Sequence, residues 1–258
     1  MARALITFII VFILLLIIII FSVFRSNFFS IKTVDVAVDK LSCADSNQIK
    51  NSIQLIGQNF FLFNSVKVRE NIRNNFLCVR DVKTSRHFPS HVSIFVSGRE
   101  PKVLLLVFGN REATQGATFE DIATPSAKAV ENADSFFIDR EGVIFAKADN
   151  TANIPKIYYY GLDISLGKQK KRLVDLLKIL EKVKLYGLDI RQSQLSDEIF
   201  IMNPPRGPKI IFNMDQKLDA QLASLQLILN QAKIDENQLE FIDLRFDKPV
   251  VKLAPKKN

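Results

Sequence analysis

The two histidines of this chain are candidates for a metal site or for proton transfer, because imidazole binds metals and transfers protons. His87 and His91 are four residues apart, a spacing that suits a metal-binding pair on a helix. Pro89 lies between them in a strand-turn-strand pattern, so a shared helical face is not expected. No third ligand follows at motif spacing, and the sequence therefore predicts no metal site.

Two carboxylates, Asp139 and Glu141, are of the type that acid-base catalysts use. Both stand beside Gly142 in a hairpin-turn pattern, where polar residues are expected for structural reasons. The glycines are scattered without a phosphate-binding cluster, and no Gly-x-Ser-x-Gly nucleophile motif is present. The sequence therefore predicts no catalytic residue, no cofactor and no small-molecule substrate.

Cys43 and Cys78 are the two cysteines of the chain, which excludes a dense disulfide framework and a four-thiolate zinc site. A disulfide between them would stabilise the fold by about 3–4 kcal/mol in the loop-entropy description. The alternative is a pair of buried free thiols in a small core. The distance between the two Cα atoms decides between these readings, and the sequence does not contain it.

The charge pattern bears on the partners of the protein. The 258 residues carry a formal charge of +8, from 35 basic and 27 acidic residues, and the excess is spread along the chain. The densest basic run, residues 168–172, opens a predicted helix, as solvated helix starts often do. No basic stripe with interleaved aromatic residues is visible, so nucleic-acid binding is not expected.

The elements that position these residues begin with an apolar segment. Residues 4–24 contain no charge, and about 21 residues at 1.5 Å each reach about 30 Å, the hydrocarbon thickness of a bilayer. The segment is longer than the roughly 7–15 apolar residues of a cleaved signal peptide. We therefore expect residues 1–25 to form a short cytoplasmic tail and a transmembrane signal anchor, with the rest of the chain outside the cytoplasm.

Residues 28–101 predict a small β-α-α-β-β domain. A strand begins near Ile31, a capping box at Asp45 opens a first helix, and Gly57 ends it. A second helix follows, and alternating residues from Val79 and from Val92 predict a pair of antiparallel strands.

Residues 102–254 predict a second, mixed α/β domain with a mainly antiparallel sheet, followed by a polar tail at 255–258. The pattern contains a hairpin around residues 140–142, an extended break at 154–157 and two leucine-rich helices. It closes with strands at 240–246 and 250–253. Residues 110–134 are polar and predict a flexible surface loop. The fold class is therefore α+β, with a single N-terminal transmembrane helix before the two domains.

The first of these domains resembles a POTRA domain at four points. The opening strand at 31–36, the link Gly57-Gln58-Asn59-Phe60-Phe61, and the strand at 79–84 followed by Phe88-Pro89 match its motifs. Residues 98–101 resemble the family's "E-R-x-P" exit, with Gly98 where glutamate is usual.

The second domain makes the resemblance specific to one family. The motifs at 137–145, Ile154-Pro155, Leu166-Gly167 and 242–251 follow a POTRA domain in the order seen in the bacterial cell-division family FtsQ, called DivIB in Gram-positive bacteria. The resemblance implies a non-enzymatic divisome scaffold in the cell (inner or plasma) membrane at the division septum. It also implies FtsB-like and FtsL-like bitopic partners and, through them, the septal peptidoglycan synthase.

The last strand is the expected partner-binding site. A strand with an open edge can template a partner strand through its unpaired backbone groups. The alternative, that this strand only completes the sheet of its own domain, is compatible with that role. By resemblance, the site also includes the adjoining strand, so the predicted partner-binding residues are Phe241, Arg245, Pro249, Val250, Val251, Lys252 and Leu253.

Two other classes of protein compete with the scaffold. A membrane-anchored envelope enzyme needs convergent titratable groups, for which the sequence offers no motif. A POTRA-bearing secretion or assembly factor needs a barrel of many alternating strands of about ten residues each. The two leucine-rich helices in residues 102–254 argue against such a barrel.

Overall fold

The computed structural model describes residues 8–18, 27–41, 43–108, 125, 130–148, 153–161, 164–234 and 239–254. The chain divides into two compact units, Met1–Arg99 and Glu100–Asn258. The predicted tail at 255–258 and most of the predicted loop at 110–134 lie outside the described residues.

The predicted transmembrane helix, and with it this part of the fold class, is wrong. Among the described residues, no helix is long and apolar enough to cross a membrane. The N-terminal helix is described over residues 8–18, which corresponds to about 16 Å, against about 30 Å of hydrocarbon. The prediction rested on the absence of charged residues from 4 to 24, which does not show that one helix covers the whole stretch. The remainder of 4–24 lies outside the described residues.

The first unit has the β-α-α-β-β order that the sequence predicts. Strands β1 and β3 are parallel and β2 and β3 are antiparallel, in the sheet order β1-β3-β2. After a 3-10 turn at Asn27–Phe29, its elements are β1 (Thr33–Asp39), α1 (Ser46–Ser52), α2 (Ser65–Asn75), β2 (Val79–His87) and β3 (His91–Gly98).

Local sequence explains where the two helices of this unit begin. The Asp45 side chain accepts a hydrogen bond from the Gln48 amide, and the Gln48 side chain accepts one from the Asp45 amide, which completes a capping box. The Asn64 side chain caps α2 in the same way. The helices bury Ile49 and Ile72 completely against the sheet, in a core that includes most apolar residues of β2 and β3.

The second unit is built on one mixed sheet of nine described strands, in the order β12-β11-β10-β9-β8-β7-β4-β5-β6. Five of its pairings are antiparallel and three are parallel. Its strands are β4 (Val103–Phe108), β5 (Asp134–Ile138), β6 (Ile144–Lys147), β7 (Lys156–Tyr160), β8 (Gln192–Ser196), β9 (Ile199–Met202), β10 (Lys209–Asn213), β11 (Leu239–Asp243) and β12 (Val250–Leu253); its helices are α3 (Lys171–Leu185) and α4 (Leu218–Ile234).

Helices α3 and α4 contribute to the main core of this unit. Leu176, Ile179 and Val183 are fully buried at helical spacing on α3, and Leu225 is fully buried on α4. Strand β7 was not expected, because the sequence there reads as a break at 154–157. It lies in the middle of the sheet, parallel to both β4 and β8, where burial on both faces removes the alternation that identifies a half-exposed strand.

Gly98, the departure from the family's usual exit motif, has a steric cause. A Cβ atom at this position would overlap the carbonyl group of Lys40 and contact the Cα atom of Leu41. Both of these are backbone atoms, which cannot rotate away as a side chain would. The glutamate that is usual in the family therefore does not fit the backbone of this chain.

We predict that Gly98→Ala destabilises the protein by about 1–3 kcal/mol, because the added methyl group must displace backbone. The neighbouring Ser97→Ala, which removes only a 3.4 Å hydrogen bond to the Asp81 carbonyl, serves as the control and should change stability by less than about 0.5 kcal/mol. Urea unfolding followed by circular dichroism measures both. Equal midpoints for Gly98→Ala and the unaltered chain would show that Lys40 moves freely.

Candidate partner-binding edge

Strand β12 is an edge strand with one paired side. It pairs antiparallel with β11, and no strand in the described ranges pairs with its other side. Its side chains are exposed, with relative accessibilities of 47% for Val250, 39% for Val251 and 53% for Leu253. Exposed apolar side chains along an open backbone edge are the arrangement that accepts another strand.

The opposite edge of the same sheet is different. Strand β6 is partly covered by the segment before α3, in which the Gly167 amide donates to the Ile144 carbonyl at 2.8 Å. Val143 and Gln169 form a further antiparallel bridge beside it. Ile144 and Phe145 of this edge are also buried. A partner strand therefore meets a covered backbone at β6 and an open backbone at β12.

The side chains of β12 alternate between two faces. Val251 stands opposite Ile242, which is fully buried in the main core. Leu253 stands opposite Leu239, which packs against the same core. Val251 and Leu253 thus extend the apolar core to the sheet edge, whereas Val250 and Lys252 lie on the other face.

Lys252 lies on the more polar face of this edge. It stands opposite Phe241, which is half-buried. The Lys252 ammonium also contacts the Glu240 carboxylate at 2.9 Å, and both side chains are largely exposed. An exposed pair of this kind contributes little stability, so Lys252 remains able to exchange its partner.

Asp243 and Arg245 form the strongest ion pair near the edge. The guanidinium group donates from Nη2 at 2.8 Å and from Nε at 3.0 Å to the two carboxylate oxygens. The Arg245 amide also donates to Asp243 Oδ1 at 3.1 Å. The accessibility of the two side chains is 8% for Asp243 and 23% for Arg245. Arg245, predicted to bind a partner, therefore shapes the turn that leads from β11 to β12.

A cleft of about 530 Å³ adjoins the start of β12. It lies between the residues that open α4 and the β11–β12 turn, and Phe246 on its wall is 54% exposed. Its lining includes Asp215, Lys217, Ala220, Phe246, Asp247 and Pro249. The sequence analysis missed Phe246, although a large aromatic residue before the polar turn Asp247-Lys248-Pro249 was a usable signal. Pro249, which was predicted, is half-buried here.

The other residues singled out from the sequence have structural roles. The Asp139 carboxylate is 1% exposed and accepts from the amides of Glu141 and Val143, both at 2.9 Å. It therefore closes the β5–β6 turn. The rings of His87 and His91 lie 5.2 Å apart across the β2–β3 turn, and His91 Nδ1 is 2.8 Å from the Thr33 hydroxyl. Among the described residues, no three metal-binding side chains cluster.

Cys43 and Cys78 are joined by a disulfide bond within the first unit, with their Cα atoms 6.0 Å apart. This separation is in the ordinary range for disulfides. The bond links the connection between β1 and α1 to the residue before β2.

Among the described residues, one titratable group has a pKa that its surroundings shift clearly. Burial raises the pKa of the Tyr158 hydroxyl above its usual 10.0, because the phenolate loses its solvation. The pKa is higher in the folded state than in the unfolded chain. The contribution of Tyr158 to the free energy of unfolding is therefore complete below pH 10 and is lost as the pH rises further. Tyr158 lies on the central strand β7 and carries no charge to the partner edge at neutral pH.

Comparisons with known proteins follow the same division into units. Residues 29–99 match the family described as "POTRA domain, FtsQ-type". A search of the curated proteins finds no match to this chain. The match and the β-α-α-β-β fold define the chain as a POTRA-domain protein. Within that class the match over residues 29–99 is to the FtsQ type, which supports the predicted resemblance to the FtsQ/DivIB family.

We predict that Arg245→Ala destabilises the second unit by about 1.5–3 kcal/mol, because it leaves the buried Asp243 carboxylate without its charged partner. Lys252→Ala, which removes the exposed pair with Glu240, is the matched control and should cost less than about 1 kcal/mol. Chemical denaturation of both variants measures the difference. Equal losses of stability would show that the Asp243–Arg245 pair is no stronger than a surface pair.

Proposed function

We propose that this protein is a cell-division scaffold that binds a partner strand along β12. FtsQ-type POTRA proteins are generally non-enzymatic division proteins, and the match of residues 29–99 to this type supports a role in division. The observation that carries the proposed mechanism is the open outer side of β12, with its three exposed apolar side chains. Main-chain hydrogen bonds would provide affinity and alternate side chains specificity.

The two faces of β12 define the partner strand. On the core side, Val251 and Leu253 favour apolar residues at alternate positions, because these would complete a hydrophobic layer that now ends at the edge. On the other side, Lys252 favours an acidic or polar residue, which can share its ammonium group with Glu240. The fitting partner is therefore an extended segment that alternates apolar and acidic or polar residues.

The proposed partners are FtsB-like and FtsL-like division proteins and, through them, the septal peptidoglycan synthase. These partners come from the family resemblance, and the division septum is the corresponding place of action. We propose that the folded units work outside the cytoplasm. The Cys43–Cys78 disulfide supports this location, because disulfides persist in oxidising compartments.

The test is co-expression of the full chain with the FtsB-like and FtsL-like proteins of the same organism, followed by purification through a tag on this chain. We expect a chain truncated after Asp247, and the double variant Val251→Glu/Leu253→Glu, to recover at least about tenfold less of either partner. The truncation removes the whole edge strand, and the double variant places two charges on its apolar side.

The matched control is Lys147→Glu on strand β6, which changes a charge at the opposite edge of the same sheet and should recover the partners normally. Circular dichroism must show that every variant is folded. Undiminished recovery by both β12 variants would place the contact elsewhere, and the absence of both partners from the unaltered chain would refute the scaffold itself.

A further inference from the structure

The last two residues of the first unit, Gly98 and Arg99, are held in place from two sides. The Arg99 amide donates to the Cys78 carbonyl at 2.7 Å, and Arg99 Nε donates to the Leu77 carbonyl at 3.2 Å. Gly98 packs so closely on the Lys40 carbonyl that a Cβ atom would not fit. Arg99 is 7% exposed as a result.

The disulfide joins the same two segments. Cys78 belongs to the backbone that accepts from Arg99, and Cys43 follows three residues after Lys40. One covalent bond therefore connects the two sides between which the exit residues lie.

The two cysteine residues differ in exposure. Cys43 is exposed, whereas Cys78 is 1% exposed. Thiol–disulfide exchange begins with attack by a thiolate on one sulfur, and access decides which sulfur is attacked. An external thiolate is therefore expected to attack at the exposed Cys43, while Cys78 is shielded and departs as the leaving thiolate.

We propose that the Cys43–Cys78 disulfide is a redox-controlled clamp on Gly98 and Arg99, opened and closed through Cys43 by an oxidoreductase of the Cys-X-X-Cys class. In opening, the enzyme's thiolate bonds to Cys43 Sγ and the bond to Cys78 breaks, so that Cys78 takes the electron pair and then a proton. The second enzyme thiol displaces Cys43 as a thiol and leaves the enzyme oxidised. Closing is the reverse exchange, with the oxidised enzyme as the electron acceptor.

The clamp acts on the point at which the chain leaves the first unit. Opening it frees Lys40 and Leu41 to move away from Gly98, while the core that contains Ile49, Ile72 and Val82 stays folded. The Arg99 amide should then open more often. This inference is independent of strand addition at β12.

The first test traps the exchange intermediate. The oxidised full chain is mixed with a reduced Cys-X-X-Cys oxidoreductase whose second cysteine is replaced by serine, and the mixed disulfide is mapped by peptide mass spectrometry. We expect the enzyme on Cys43 at least about tenfold more often than on Cys78. A mixed disulfide mainly on Cys78, or none under conditions in which the enzyme reduces a control disulfide, overturns the proposal.

The second test measures amide exchange by mass spectrometry on the full chain with and without dithiothreitol. We expect the peptide that ends at Arg99 to exchange at least about tenfold faster after reduction, while peptides of α2 and of β12 remain unchanged. The double variant Cys43→Ala/Cys78→Ala is the control, because its exchange should be fast from the start and insensitive to dithiothreitol. An unchanged rate at Arg99 after complete reduction, or loss of protection throughout the first unit, would contradict a local clamp.

Discussion

The parallel pairing of β10 with β11 is the constraint on which the proposed binding edge depends. Parallel neighbours cannot be joined by a tight turn, and here the crossover contains helix α4. The crossover places β11 beside β10. The chain then turns back through a short connection, and β12 pairs antiparallel with the outer side of β11. Among the described residues, no strand pairs with the other side of β12. The open edge thus follows from topology, and the Asp243–Arg245 pair stabilises the turn that produces it.

The edges of the smaller sheet do not offer an equivalent surface. Strand β1 carries Asp35 and Asp39, and charged residues on an edge strand disfavour pairing with another chain. On β2, the Arg69 side chain donates to the Val82 carbonyl at 3.2 Å, which occupies one backbone acceptor of that strand. Strand β12 carries one charged residue, Lys252, beside three exposed apolar residues, Val250, Val251 and Leu253. The difference in side-chain chemistry favours the second unit as the place where a partner strand adds.

Much of the first unit could be predicted because its signals are local. The capping box at Asp45 and the alternation from Val92 each specify an element within a few residues, and the order of elements then identifies the domain. Strand β7 could not be predicted in this way, because its neighbours β4 and β8 are distant in sequence. The transmembrane helix was predicted from composition alone, and composition does not show where a helix begins and ends. Arg245 was predicted as a partner-binding residue. The sequence does not show that its guanidinium group forms a bidentate hydrogen bond to Asp243, because that depends on the geometry of the turn.

The length of β12 limits what main-chain pairing can contribute at this edge. A strand of four residues directs two residues outward, which allows about four hydrogen bonds at about 1 kcal/mol each. Association of two proteins costs at least about 4 kcal/mol in lost freedom, so backbone pairing alone would not hold a partner. Under the proposed strand addition, the surfaces that could provide the remaining free energy are the apolar side chains of Val251 and Leu253 and the cleft beside Phe246. Under the proposed strand addition, a partner therefore needs contacts beyond the backbone pairing with β12, and this requirement makes a short edge selective.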